Sequence, residues 1–313
     1  IMRWVMARQS DGTERAGLVE DEQIFLLPTR STVMDLLGDD GTRMHAAADQ
    51  ARSAPLDVVA FAGADLGPPI RPPQLRDFLT FLDHRRNIAN LEDGTISDTW
   101  NQIPAFYFSN TTGVVGACDP VAISPGCSSF DYELEVAAVI GQAGTNLTPD
   151  EAEDHIAGFM ILNDWSGRDL QLLEMGLGLG PAKGKDGNNT LGPMFVTRDE
   201  LEPYRAGNSY HLEMKGFVND ELVSHGFMDQ MDWSWGEIVS YASRGTTLRT
   251  GEAIGSGTVP TGCLFEHFAI DGPDKFRGWL TPGDVVSFEV EGLGSTRQVI
   301  LDPPEIHRLR TGF

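Results

Sequence analysis

The chain has 313 residues, enough for one large domain or a large domain with a small companion. Its 41% apolar content is ordinary for a globular protein and excludes wholesale disorder. With 46 acidic against 23 basic residues the formal charge is -23, a field that repels phosphate backbones and anionic lipid, so neither a nucleic-acid nor a membrane partner is expected.

Residues 3–27 hold three short apolar runs, "RWVMA", "AGLV" and "QIFLLP", separated by polar and Gly turns, and read as a β-meander. Ser31 or Thr32 is placed to cap a short helix through Leu37, with a second helix before "LDVVAF". The proline-dense "LGPPIRPP" (Leu66–Pro73) reads as a stiff connector, which divides the chain into a small N-terminal domain, 1–67, and a body, 68–313. After it, "LRDFLTFLDHRRNIANL" carries Phe78, Phe81, Leu82 and Leu91 at partial helical spacing and predicts a helix.

From Val114 onward, apolar runs alternate with Gly, Pro, Asn and Asp turns, the pattern of a β-rich body. Two helices are expected to interrupt it. In "TPDEAEDHIAGFM", Thr148, Pro149 and Glu151 form a capping box, and Ile156, Phe159 and Met160 supply the apolar stripe. The second is "DWSWGEIVSYAS" (Asp232–Ser243), in which Ile238, Val239 and Tyr241 are apolar positions and Trp233 and Trp235 read as core or interface. The end, "LTPGDVVSFEVEGLGSTRQVIL", predicts a turn and a two-stranded hairpin. The expected class is α+β, β-rich.

Cys118, Cys127 and Cys263 are scattered, with no C-x-x-C pair, and read as inert thiols in a reducing compartment. No 18-residue apolar run and no secretory leader are found, so a cytoplasmic protein is expected.

The chemistry concentrates in three places. In "FDYELEVAAVIG" (Phe130–Gly141), Glu133 and Glu135 project from one face of a strand whose next members on that face, Ala137 and Val139, are small and apolar. Two readings compete: a solvated or salt-bridged pair, or half of a divalent-cation site, since like charges on a buried face need a positive neighbour. In "ILNDWSGRDLQ", Asp164, Arg168 and Gln171 fall at i, i+4 and i+7, either one functional helix face or an Asp N-cap with a surface ion pair. Asp77 and His84 are seven apart, two helical turns or about 10 Å along an axis; the alternative is a surface helix, since a lone His is more often structural than catalytic.

In order, "DYELEVAAVIG", "NDWSGRDLQ", "LGPAKGKD" with "LGPMFV", "GSGTVPTGCLFE" and "LTPGDVVSFEVEGLG" resemble the fumarylacetoacetate hydrolase family over roughly Leu75 to Val299. The resemblance implies a mixed β-sandwich roll with a smaller N-terminal β/α domain, and a homodimer. It also implies a divalent cation, Mg²⁺ first and Ca²⁺ or Mn²⁺ otherwise, held by Glu133, Glu135 and Asp164. Likeness to the fumarylacetoacetase branch adds Asp77 to the metal set. It makes His84 the base, Glu266 its partner, and Lys185 and Gln171 the oxyanion donors. Tyr107, Thr258 and Arg168 are expected at the substrate.

The implied reaction is hydrolysis of a carbon–carbon bond in a 1,3-diketone or acylpyruvate-like compound, as in aromatic catabolism. Isomerisation or decarboxylation of a 2-oxo acid, as by a hydroxymuconate-type isomerase or an oxaloacetate decarboxylase, is the alternative on the same scaffold, and a non-enzymatic cation-stabilised binder is the third reading. The sequence departs from that branch at Asp93, where an Arg meets a substrate carboxylate, and at Leu79 and Met175, where tyrosines stand, so fumarylacetoacetate itself is not the expected substrate. Asn90–Gln102 reads as a lid. "GPAKGKD" is no P-loop, since Leu179 and Asp186 break the pattern, and "GLGLG" follows no strand. His45, His155, His211, His225, His267 and His307 lack ligand spacing.

Overall fold

The computed structural model describes residues 2–91 and 94–313. The chain opens with the expected meander: β1 (Arg3–Arg8), β2 (Glu14–Glu20) and β3 (Gln23–Leu26). A short 3-10 turn at Met34–Leu36 and helix α1 (Thr42–Ser53) follow, then β4 (Val58–Ala60). Next come β5 (Leu75–Phe78), α2 (Leu82–Ala89) and β6 (Phe106–Ser109). The body continues with β7 (Leu134–Ile140), α3 (Pro149–Asp154), β8 (Ile156–Asp164), α4 (Arg168–Met175) and β9 (Asn189–Thr197). It closes with β10 (Glu213–Val218), β11 (Glu221–Phe227), α5 (Trp235–Ala242), β12 (Ala253–Gly255), α6 (Leu264–Asp271), β13 (Val285–Val290) and β14 (Gly294–Leu301).

One large mixed sheet runs β4-β3-β2-β1-β9-β8-β7-β12-β5-β6. A second sheet runs β11-β10-β13-β14 and ends on the short strand Val121–Ala122. Strand β7 feeds two cores. Leu134, Val136, Ala138 and Ile140 enter one, with Phe288 and Val290 of the second sheet. Ala137 and Val139 enter the other, with Trp4 and Phe195. Glu133 and Glu135 share the parity of the second set, so the face that carries them is covered.

The N-terminal strands extend this same sheet. β1 pairs antiparallel with β9, with Arg3 opposite Val196 and Trp4 opposite Phe195, and the two-residue strand Leu66–Gly67 pairs back onto β1. The proline cluster read as a stiff connector packs against the sheet. Ile70 is 1% exposed and packs in the core with Trp4 and Leu75, because an apolar residue flanked by stiff prolines is held against the sheet.

Three further expectations are corrected. Residues 75–91 are not one helix: Leu75–Phe78 is strand β5, parallel to β12 and antiparallel to β6, and only Leu82–Ala89 is helical. All four β5 residues are buried, and a strand buried on both faces shows no period-2 signal to set against a helical one. The capping box at Thr148 is present as read, but α3 ends at Asp154. Ile156, Phe159 and Met160 lie on β8, between β7 and β9, where their two-sided burial mimics a helix stripe. Asp164, Arg168 and Gln171 do not share a helix face: Asp164 ends β8, while Arg168 and Gln171 lie on the first turns of α4.

Helix α5 begins where expected, with a capping box between Ser234 and Glu237, and it buries Trp235, Ile238 and Val239. The closing hairpin is β13 and β14. Among the described residues no helix is long and apolar enough to cross a membrane.

Candidate active site

Four carboxylates converge where β5, β7 and β8 end. Strand pairing fixes them: Gly255 of β12 is opposite Asp77, and Tyr107 of β6 is opposite Asp77 on its other edge. Asp164 N–H donates to the Glu133 carbonyl (3.3 Å), and Glu133 N–H donates to Asn163 Oδ1 (3.0 Å). The "GSGT" segment needs its glycines. Gly255 faces Asp77 Oδ1, where a Cβ would collide, and Gly257 has φ +81° with the Phe78 carbonyl against its bare Cα. Gly257 N–H and Thr258 Oγ1 then each donate to Glu135, both at 3.1 Å.

Ligand atoms of Asp77, Glu133, Glu135 and Asp164 all lie within 4.8 Å of one another. Their exposures are 2%, 6%, 1% and 0%, which rules out the solvated pair. Two cations partly neutralise them. Lys185, on a 3-10 turn packed against α4, places Nζ 2.6 Å from Glu133 Oε2 and 2.6 Å from Asp164 Oδ2. Arg168 Nη2 lies 2.8 Å from Glu133 Oε1 and 2.8 Å from Asp131 Oδ2.

Five buried carboxylates, with Asp131 counted, thus face these two buried cations. The imbalance divides the acids. Burial pushes Glu133 up, but Lys185 and Arg168 outweigh it and hold its carboxyl below the usual range. Burial, followed by like charge from Asp77 and Glu133, pushes Glu135 well above it. Asp77 and Asp164 are also raised, by burial first. Tyr107 is raised by burial and by these carboxylates, so its phenol stays protonated and donates to Asp77 Oδ2 (3.1 Å) and to Asp164. Asp77 Oδ1 and Asp164 Oδ1 are buried with no hydrogen-bond partner. Excess buried negative charge, orphaned carboxylate oxygens and an all-oxygen donor set fit a hard divalent cation.

The second cluster is the expected base and partner. His84, buried on α2, places Nδ1 2.8 Å from Glu266 Oε2 on α6, close enough for an ion pair although the ring N–H is not aligned for a hydrogen bond. Glu266 is oriented by Asn87 Nδ2 and Thr261 N–H, both donating to its Oε1 at 2.9 Å. Cys263 Sγ lies 3.7 Å from Glu266 Oε2. Burial raises its thiol, which keeps it protonated, in line with the inert reading.

Both clusters open into one cavity of about 660 Å³, which Gln171, Lys185, Tyr107, Thr258 and Arg168 also line. The residues expected at the substrate are therefore present, but two are engaged elsewhere. Thr258 holds Glu135, and Arg168 holds Glu133 and Asp131 and donates to Gln171 Oε1 (3.2 Å). Asp93 lies outside the described residues, as does Glu92 of the expected lid. Elsewhere in that segment, Trp100 Nε1 donates to Asp232 Oδ2 (2.5 Å). His211 pairs with Asp229 and His225 with Glu213 at the surface.

Sequence reasoning missed Asp131. Its Oδ1 accepts from Leu264 N–H (2.8 Å) and its Oδ2 from Phe265 N–H (3.0 Å), so it caps α6, the helix of Glu266, while it also grips Arg168. The signal was in view, since Asp131 begins the "DYELEV" stretch. Asn163 and Asn87 were missed too, and nothing local distinguishes them from ordinary amides.

The profile of the family described as "Fumarylacetoacetate (FAA) hydrolase C-terminal" matches residues 75–301. The chain is 31% identical over 192 residues to a mitochondrial protein of Xenopus laevis named oxaloacetate tautomerase fahd2, which covers 61% of this chain and 56% of that one. It is 34% identical over 169 residues to oxaloacetate tautomerase YisK of Bacillus subtilis, covering 54% and 51%. The chain thus spans little more than half the length of these relatives. The structure titled fumarylacetoacetate hydrolase from Exiguobacterium antarcticum superposes with a TM-score of 0.77 at 24% identity, over 96% of this chain and 100% of that one, and shares its fold. On the length of that profile match and this shared fold, the chain belongs to the fumarylacetoacetate hydrolase family.

Proposed function

We propose that this protein is a divalent-cation-dependent hydrolase that cleaves a carbon–carbon bond in an acylpyruvate-like 1,3-diketone. The observation that carries the reading is the contact of His84 Nδ1 with Glu266, 2.8 Å, with His84 lining the same cavity as Asp77, Glu133 and Glu135. Asp77, Glu133, Glu135 and Asp164 would hold the cation, Mg²⁺ in first place and Ca²⁺ or Mn²⁺ otherwise, and its Lewis-acid charge favours the enolate form of a 2-oxo acid.

His84 takes a proton from water, and Glu266 stabilises the imidazolium that forms. The hydroxide adds to the distal carbonyl carbon. Lys185 uses two of its three N–H donors on Glu133 and Asp164 and has a third for the developing oxyanion, beside Gln171. The bond between the acyl carbon and the central carbon breaks, its electron pair passes to the enolate of pyruvate, and a proton delivered to that carbon completes an acid plus a 2-oxo acid. The working form is proposed as a cytoplasmic homodimer.

A second reading is keto–enol isomerisation or decarboxylation of a 2-oxo acid, favoured by the relatives named oxaloacetate tautomerases. There His84 would carry the proton between carbon and enol oxygen, with no attack by water. Purified protein with Mg²⁺ separates the readings. Hydrolysis of acetylpyruvate gives acetate and pyruvate in equal amounts. Faster decay of enol-oxaloacetate, or release of CO₂, without acylpyruvate cleavage sinks the hydrolase reading.

A further inference from the structure

The cavity has two unlike ends. The inner end is the carboxylate cage with Lys185. The outer wall is apolar, built from Leu79, Ile88, Leu172, Met175, Phe265 and Phe268. These residues come from three helices and the strand end after β5, so the wall is a feature of the tertiary fold and not one greasy segment. Leu172 and Met175 remain 57% and 48% exposed, an unusual cost for large apolar side chains on a cavity wall.

Two of the three cations on the cavity wall, Arg168 and Lys185, already pair with carboxylates of the protein. Arg168 is committed to Asp131 and Glu133. Arg85, on the cavity wall, is itself engaged within the protein. The volume, about 660 Å³, lies in the range that drug-sized ligands fill, roughly 300–1,000 Å³.

We infer that the substrate's distal group is apolar: an alkyl or aryl substituent on the acyl carbon, seated against Leu79, Ile88, Leu172, Met175, Phe265 and Phe268, and not a second carboxylate. The inference rests on the proposed function only in placing the 2-oxo acid head at the four carboxylates.

The test is binding, which needs no turnover. Mg²⁺-loaded protein is titrated calorimetrically with pyruvate, 2-oxooctanoate and 2-oxoadipate. The expected result is 2-oxooctanoate at least about tenfold tighter than pyruvate, since its longer chain buries apolar surface against the wall, with 2-oxoadipate no tighter than pyruvate. The double variant Leu172→Ser, Met175→Ser should lose most of the gain for 2-oxooctanoate, and continued binding of pyruvate shows that it has folded. Equal affinity for pyruvate and 2-oxooctanoate overturns the inference. So does a preference for 2-oxoadipate that disappears in Arg85→Met, or failure of all three acids to bind. A tail preference in binding without hydrolysis of any diketo acid would overturn the proposed reaction and leave the apolar subsite standing.

Discussion

Lys185 Nζ lies 2.6 Å from Asp164 Oδ2, and the same ammonium lies 2.6 Å from Glu133 Oε2. This lysine is one of two buried cations that offset five buried carboxylates, so it holds the cluster together. Lys185→Met removes the charge and keeps the stem. The metal-free variant should lose about 3–5 kcal/mol in urea unfolding, the cost of breaking a buried pair from one side. Mg²⁺ should raise its melting temperature more than that of the parent, because the ion binds only the folded state. Unchanged stability of the metal-free variant would show that Lys185 is not buried against those acids in solution.

Glu135 has no cationic partner among the described contacts; Gly257 N–H and Thr258 Oγ1 donate to it. Glu135→Ala should abolish Mg²⁺ binding in calorimetry and turnover with it. The variant should still fold without metal, since removing a crowded buried carboxyl offsets the two hydrogen bonds lost from Gly257 N–H and Thr258 Oγ1. Mg²⁺ binding at the parent's affinity would remove Glu135 from the metal set.

His84→Ala separates chemistry from metal binding. If His84 activates water, kcat should fall by about 10²–10⁴ while Mg²⁺ affinity stays within about twofold. Glu266→Gln should slow the reaction in the same direction by withdrawing charge from the imidazolium. A parallel loss of metal affinity would make His84 a structural support of the cage instead of a base.

Away from the site, Asp119 accepts from Arg8 Nη1 and Nη2, at 2.6 and 2.8 Å, and from Gly116 N–H at 2.6 Å. Its carboxyl is held below the usual range, chiefly by Arg8. A group depressed in the folded state stabilises above its unfolded pKa, near 4, and loses that contribution as pH falls through the folded value. Asp119→Asn should therefore cost about 1 kcal/mol at pH 7 and progressively less below about pH 4, measured by urea unfolding at each pH. A cost independent of pH would mean that the carboxylate's charge contributes nothing.

Strand parity is a local property, which is why Glu133 and Glu135 could be placed on one face from spacing alone. Their burial was hinted at by Ala137 and Val139 but was decided by groups distant in sequence, Lys185 and Arg168 against Glu133 and Gly257 and Thr258 against Glu135. Asp77 and His84 show the opposite case. Both belong to the site, yet not on one helix: Asp77 sits on β5 because Leu75–Phe78 pairs with Ala253–Gly255, a partner too distant in sequence for any local pattern to reveal. Asp131 stood in the quoted motif, but its partners, Arg168 and the first turn of α6, are distant in sequence.

The ordered motifs by themselves determined the family and the residue types of the site, because short spacings and invariable backbone needs such as Gly257 are written in the chain. Only the tertiary structure decided that those residues meet. It closes three strand ends around one point, so that carboxylates repelling one another in water are forced together out of it. It then spends Lys185, Arg168, Tyr107 and Thr258 on holding them there. The apolar outer wall of the cavity, assembled from three helices and a strand end, was likewise settled by packing and by no single stretch of sequence.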